Sequence, residues 1–162
     1  MTGRSSRVGG EYWENMLEAA CRHYRLHEQA EITKTPEPMK PLGRPNSRGQ
    51  FLACYTKQAQ PDYKGFIKGG RMVMFEAKFT STERLNQSCV GREQSEYLDR
   101  CQRLGARCFV LAGFATGEVY RIPWPVWTDM KAHFGRKYVT EADLREYHVH
   151  MAWNATLMLL DE

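Results

Sequence analysis

The sequence predicts one α/β domain, a mixed β-sheet flanked by helices, with a long basic segment projecting from it. Three observations lead there. Helix-period apolar stripes, Trp13, Leu17, Ala20, Tyr24 and later Tyr97, Leu98, Cys101, Leu104, bracket a run of strand patterns. Two of those strand patterns meet at Gly69-Gly70, and beyond the second stripe Arg107 to Phe114 is a continuous apolar run of the kind buried on both faces. Between the first stripe and the Gly69-Gly70 pair, residues 36–59 are rich in proline, glycine and basic side chains.

Size and composition narrow the class. At 162 residues the chain suits one domain with a real core and would cramp two. No apolar run is long enough to cross a membrane, and the basic start has no apolar segment behind it, so no secretory signal is expected. Five cysteines, odd in number and without a Cys-x-x-Cys, point to reduced thiols in a cytoplasmic protein rather than to zinc or disulfides. The net charge of +4 is compatible with nucleic-acid binding without demanding it. No repeat, Walker loop, dinucleotide fingerprint or nucleophile elbow is present.

Taken in order, residues 1–8 carry Arg4 and Arg7 among small polar residues and read as a mobile start. Helix periodicity begins near Gly10 and runs to Leu26. Glu14 sits at the edge of its apolar stripe, where a dipole-pairing role and a catalytic one are evenly matched. Glu28 to Thr35 reads as a strand ended by Pro36. The 36–59 segment, with Lys40, Arg44 and Arg48, should resist regular helix and sheet and project as a basic stalk, its second half from Gln50 returning past Lys57.

The central stretch is Pro61 to Thr80. Alternation places Glu76 and Lys78 on one strand face, in line with Met72 and Met74, and Val73, Phe75 and Ala77 on the other. Charges beside apolar neighbours in such a strand are costly unless something binds them. A two-residue hairpin at Gly69-Gly70 would turn Asp62 away. A three-residue loop, Lys68-Gly69-Gly70, or a bulge at Gly65 sets Asp62 opposite Glu76, and that register is the expectation.

Ser81 to Gly91 reads as a polar loop carrying Arg84. A second helix spans Arg92 to Leu104, with Gln94 leading its inward stripe, where the amide either reaches solvent from the first turn or points at a metal-bound water or a phosphate. Gly117 to Pro123 alternates like an edge strand, Pro123 to Met130 starts a helix, and Thr140 to Asp143 looks like a capped helix start. Trp124, Trp127 and Trp153 read as core or dimer surface, and His133, His148 and His150 as structural.

Pro61-Asp62 followed by Glu76-Ala77-Lys78 resembles the PD-(D/E)xK nuclease signature. Asp-Tyr-x-Gly with Phe-Glu-Ala-Lys, Gly10-x-x-x-Glu14, Pro36-Glu37-Pro38 and Gln94-x-x-x-Leu98 make the chain similar to RecU-type Holliday junction resolvases. That resemblance implies a restriction-endonuclease-like fold and Mg²⁺-dependent hydrolysis of branched double-stranded DNA, with Mn²⁺ as a substitute. It implies metal ligation by Asp62, Glu76 and the carbonyl of Ala77, with Lys78, Glu14 and Gln94 completing the catalytic set. A stalk entering the junction and a homodimer are implied as well. Lys34, Lys40, Arg44, Arg48, Lys57, Arg84 and Arg92 are the candidate phosphate contacts. A restriction-type endonuclease, a non-catalytic DNA-binding protein and a structural domain with a buried Glu76–Lys78 pair are the competing readings.

Overall fold

The computed structural model describes residues 3–56 and 60–161, with the side chains of residues 3–8 excepted. Five strands form the main sheet: β1 (Ala30–Lys34), β4 (Tyr63–Ile67), β5 (Met72–Thr80), β7 (Arg107–Phe114) and β8 (Val119–Pro123), in the spatial order β1-β4-β5-β7-β8. Pairing is antiparallel except between β5 and β7, which run parallel, so the sheet is mixed and β5 lies at its centre as expected. The parallel step is made by a helical crossover, α2 (Arg92–Arg103).

Each face of the sheet is covered. On one, α1 (Gly3–Leu26) lays Trp13, Leu17 and Tyr24 against Val73, Phe75, Phe109 and Leu111. On the other, Met74, Val110 and Ala112 pack with Leu98 of α2 and with Trp124, Trp127 and Met130 of α3 (Trp124–Thr128) and α4 (Met130–Phe134). Tyr63, Phe75 and Phe109 stack across three adjacent strands, with ring centroids 4.9 and 4.8 Å apart. Those offset aromatic contacts help fix the lateral register of β4, β5 and β7.

The β4–β5 turn has the predicted form. Ile67 N–H donates to Arg71 O at 3.0 Å and Gly70 N–H to Ile67 O at 2.9 Å, closing a three-residue loop. Gly69 and Gly70 stand at φ of +94° and +86°, a region other L-residues enter at a cost. Tyr63 therefore faces Phe75, and one step further the same register puts Asp62 opposite Glu76.

Gly65 marks where β1 crowds β4. A Cβ there would stand 1.9 Å from the Glu31 carbonyl oxygen and 2.7 Å from Ile32 Cα, both main-chain atoms that cannot swing aside. Gly65→Ala is expected to destabilise the fold by about 3 kcal/mol or more, at the upper end for overpacking. Urea unfolding measures it, and a loss under about 1 kcal/mol would show that β1 yields.

Several expectations need correction. The first helix begins at Gly3, further back than expected, because the residues before the stripe are mostly small or charged, with Val8 too isolated to show a period. Backbone described from residue 3 is thus helical where a mobile start was expected. Of the 36–59 segment, the described residues 36–56 hold a separate two-stranded ribbon, β2 (Met39–Leu42) with β3 (Leu52–Tyr55), rather than irregular chain. Pro41 fits because a two-stranded ribbon is all edge, and its missing N–H faces outward. Ser81–Gly91 holds the short strand β6 (Leu85–Asn86), paired with β9 (Tyr138–Val139), and a single 3₁₀ turn. Leu85 and Val139 are buried, which is what draws those two segments together.

The helix expected from Thr140 is only a turn. Asp143 accepts the Thr140 N–H and hydroxyl as a capping residue should, but the chain bends out to bridge His148 with Tyr120. Trp124 and Trp127 are core; Trp153 is 99% exposed and belongs to no core.

Candidate active site

The site forms where β4 stops and β5 continues. Asp62 precedes β4, so β5 has no strand partner on that side beyond Phe75, and Ala77 N–H donates instead to Asp62 Oδ2 at 3.0 Å. Main-chain N–H and C=O of one strand residue are directed to the same neighbour, so the Ala77 carbonyl faces the Asp62 side as well. Lys78 extends between the two acids, its Nζ 3.0 Å from Asp62 Oδ2 and 2.7 Å from Glu76 Oε2.

Gln94 reaches the same cluster from the first turn of α2. Its Nε2 donates to Glu76 Oε2 at 3.1 Å, and its Oε1 accepts the Gly91 N–H at 3.1 Å. The amide thus clamps Glu76 to the start of the helix. The inward direction agrees with its place on the helix stripe, but the partners seen are a carboxylate and a main-chain N–H rather than the metal-bound water or phosphate expected for it.

Glu76 is wholly buried, and its other oxygen, Oε1, has no hydrogen-bond partner among the described residues. Burial pushes its carboxyl up to about 7, assisted by the negative charge of Asp62 and resisted by the ammonium of Lys78. Burial also pulls the Lys78 ammonium down, but Glu76 and Asp62 outweigh it and hold the group above its ordinary value. Lys78 is therefore charged at neutral pH, and Glu76 is poised to gain or lose its proton there.

These residues fit a hard divalent cation. Two carboxylates already converge on one positive atom, a buried carboxylate oxygen is left over, and a main-chain carbonyl faces the same space. Mg²⁺ prefers oxygen, keeps several waters and needs few protein ligands. Among the described residues no group of three or more His, Cys, Asp and Glu converges.

Glu14 accordingly stands apart from the carboxylate pair. It lines a cleft of about 250 Å³ with Trp13, Thr35, Asp62, Tyr63 and Lys78, but its carboxylate takes the ammonium of Lys34 at 2.8 Å. The helix acid reaches the mouth of the site and not its centre. Lys34, expected to contact phosphate, is the partner that holds it there.

The remaining basic candidates divide. Lys40, Arg44 and Arg48 are exposed on the β2–β3 ribbon, where the Arg48 N–H donates to Asn46 Oδ1 within the turn. Arg84 lies over the Tyr138 ring, and Arg92 pairs with Glu96 at 2.8 Å. Lys57 lies outside the described residues. Sequence reasoning missed Thr35, whose N–H donates to the Asp62 carbonyl at 2.8 Å and ties the root of the ribbon to the site. No spacing rule would have found it, because the contact is made by main chain alone.

A central strand bearing Glu76-Ala77-Lys78 with an aspartate set opposite, on a mixed sheet flanked by helices, is the arrangement of the PD-(D/E)xK nuclease superfamily. The chain belongs to the RecU family, described as Recombination protein U, whose model matches residues 8–161. It is similar to the Holliday junction resolvase RecU of Bacillus pumilus (strain SAFR-032), 29% identical over 161 residues, which cover 89% of this chain and 77% of that one. Among solved structures, that of Archaeoglobus fulgidus Hjc, a Holliday junction resolvase from an archaeal hyperthermophile, aligns with a TM-score of 0.46 at 12% identity, over 87% of this chain and 92% of that one.

Proposed function

We propose that this protein is a metal-dependent endodeoxyribonuclease that resolves four-way DNA junctions in recombination and repair. The observation that carries the reading is the cluster in which Asp62 and Glu76 share the Lys78 ammonium while Gln94 fixes Glu76. Family membership and the resolvase name of the Bacillus pumilus relative give the substrate class.

Asp62, Glu76 and the Ala77 carbonyl would hold Mg²⁺, for which Mn²⁺ can substitute. A divalent ion bound there supplies a more acidic water and offsets negative charge on the phosphate. Lys78, freed from one carboxylate, donates to a non-bridging phosphate oxygen, where a charged donor in a dry site is worth most. Gln94 keeps Glu76 from turning away. Glu14 and Lys34 line the approach. Two coordinated nicks require two such sites, which a twofold homodimer provides.

The test uses a synthetic four-way junction and a linear duplex of the same sequence, with Mg²⁺ or Mn²⁺, beside Asp62→Asn. Cleavage of the junction alone, lost in the variant while junction binding persists, is the expected result. Equal cutting of linear duplex would instead indicate a restriction-type enzyme, and no cutting with either metal would remove the catalytic reading.

The ribbon gives a separate prediction. Arg44 and Arg48 are exposed and carry no ion pair among the described residues. If each meets one phosphate, replacing both with alanine lowers the slope of log affinity against log salt by about two, because each contact releases counterion. A salt titration of junction binding measures this, and an unchanged slope would contradict the ribbon's part in binding.

A further inference from the structure

The far end of α1 carries two histidines that the nuclease chemistry does not use. His23 and His27 stand four residues apart, about one helical turn, so both leave the same face of the helix. The helical bonding runs on through His27, whose main-chain N–H donates to the His23 carbonyl at 3.1 Å. The two imidazole rings lie against each other, with centroids 4.2 Å apart and planes inclined by 37°. His27 is exposed and His23 half-buried, so an ion reaches the pair directly from solvent.

The tautomer of one ring is fixed by its partner. His27 Nδ1 stands 2.8 Å from the same His23 carbonyl. A carbonyl oxygen only accepts, so Nδ1 carries the proton and donates it to that bond. The neutral ring then keeps its lone pair on Nε2. Ligating histidines are set in just this way, one nitrogen donating to a carbonyl and the other holding the metal. Neither ring nitrogen of His23 has a hydrogen-bond partner among the described residues.

The surroundings suit a cation. Arg25, the basic side chain between the two, is turned to Glu31, its guanidinium 2.6 Å from Oε1. The last carbonyls of a helix also give its C-terminus a negative end. This end is anchored: Gln29 N–H donates to the Tyr24 carbonyl at 2.9 Å and Lys68 N–H to the Gln29 carbonyl at 2.7 Å, which ties it to the start of β1 and to the β4–β5 loop. Imidazole nitrogen suits Zn²⁺, Ni²⁺ and Cu²⁺, whereas Mg²⁺ takes oxygen. Histidines at this spacing on one helix face recur as ligands of such ions. The pair offers two ligands and leaves the remaining positions to water, in keeping with the lack of any larger His, Cys, Asp and Glu group among the described residues.

We propose that His23 and His27 form a second metal site, a two-imidazole clamp for a divalent ion of the zinc and nickel class that pins the end of α1 to its turn. It differs from the carboxylate cluster in chemistry and in place. Glu14, at the mouth of that cluster, lies about 14 Å back along the helix from His23. The site stands whether or not the chain cuts DNA.

The test adds Ni²⁺ to the full chain and to His23→Gln, His27→Gln and His27→Ala. Glutamine at position 27 can keep the bond to the carbonyl without offering imidazole, so the result does not hang on how well the alanine variant folds. At about tenfold excess over its Kd, Ni²⁺ should raise the wild-type melting temperature by about 3–6 °C. Each substitution should weaken Ni²⁺ binding at least about tenfold. In proton NMR the paramagnetic ion should broaden the ring signals of His23 and His27 first, and Mg²⁺ should leave them unmoved. A rise that persists in all the variants would place the ion elsewhere, for example on the exposed thiols of Cys54 and Cys89, and would overturn the proposal. So would the absence of any rise or broadening in the wild type. Saturation only above about 1 mM would mark adventitious surface chelation and sink it as well.

Discussion

Lys78→Ala is expected to lower junction cleavage by at least about 10²–10³-fold, the range for losing one charged donor at a reacting centre. The ammonium stands 2.7 and 3.0 Å from two carboxylates and is the cation nearest the space they face. Removing it also strips a wholly buried Glu76 of its counter-charge, and breaking a buried pair from one side ordinarily costs about 3–5 kcal/mol. Glu76 escapes part of that cost by taking up a proton, so the metal-free variant should lose less stability near pH 5 than near pH 8. Single-turnover cleavage and thermal melts at the two pH values measure both effects. A variant retaining a tenth of wild-type rate would remove Lys78 from the chemistry.

Glu76→Gln should separate activity from stability. In the metal-free wild type the Glu76 carboxyl titrates near about 7, against 4.5 for an unperturbed glutamate, because of burial. Between those values the folded chain keeps a proton that the unfolded chain has released. Stability conferred by the protonated form is complete below about pH 4.5 and declines as pH rises through about 7, a loss on the order of 3 kcal/mol at most. The glutamine variant cannot titrate there, so this decline should vanish while cleavage falls by about 10²-fold or more. Denaturant melts from pH 4.5 to 8 in chelator give the slope. If the variant keeps the wild-type slope, another group is responsible and Glu76 is not the titrating residue.

The site was legible largely because its parts are short-range consequences of strand geometry. Gly69-Gly70 fixes the loop, the loop fixes the register, and the register brings Asp62 to Glu76. Gln94 could be placed because an amide at the head of an apolar helix stripe must bond to something. Glu14 was placed near the site by its position on α1, but the pairing with Lys34 that holds it aside is a long-range contact between side chains on different elements. The β2–β3 ribbon was obscured by its prolines, which argue against a sheet interior and are indifferent to an isolated pair of edges. β6 and β9 have two residues each, too few to show any period; burial of Leu85 and Val139 makes them strands. Thr140 misled for the opposite reason, since a cap can form without a helix to follow it.

The hydrogen bond from Thr35 N–H to the Asp62 carbonyl joins the last residue before the ribbon to the first acid of the cluster. The root of the ribbon is therefore tied to the sheet twice, by the covalent chain of β1, which ends at Lys34, and by this main-chain bond to Asp62. The peptide that anchors the ribbon is thus also one that sets where the aspartate stands.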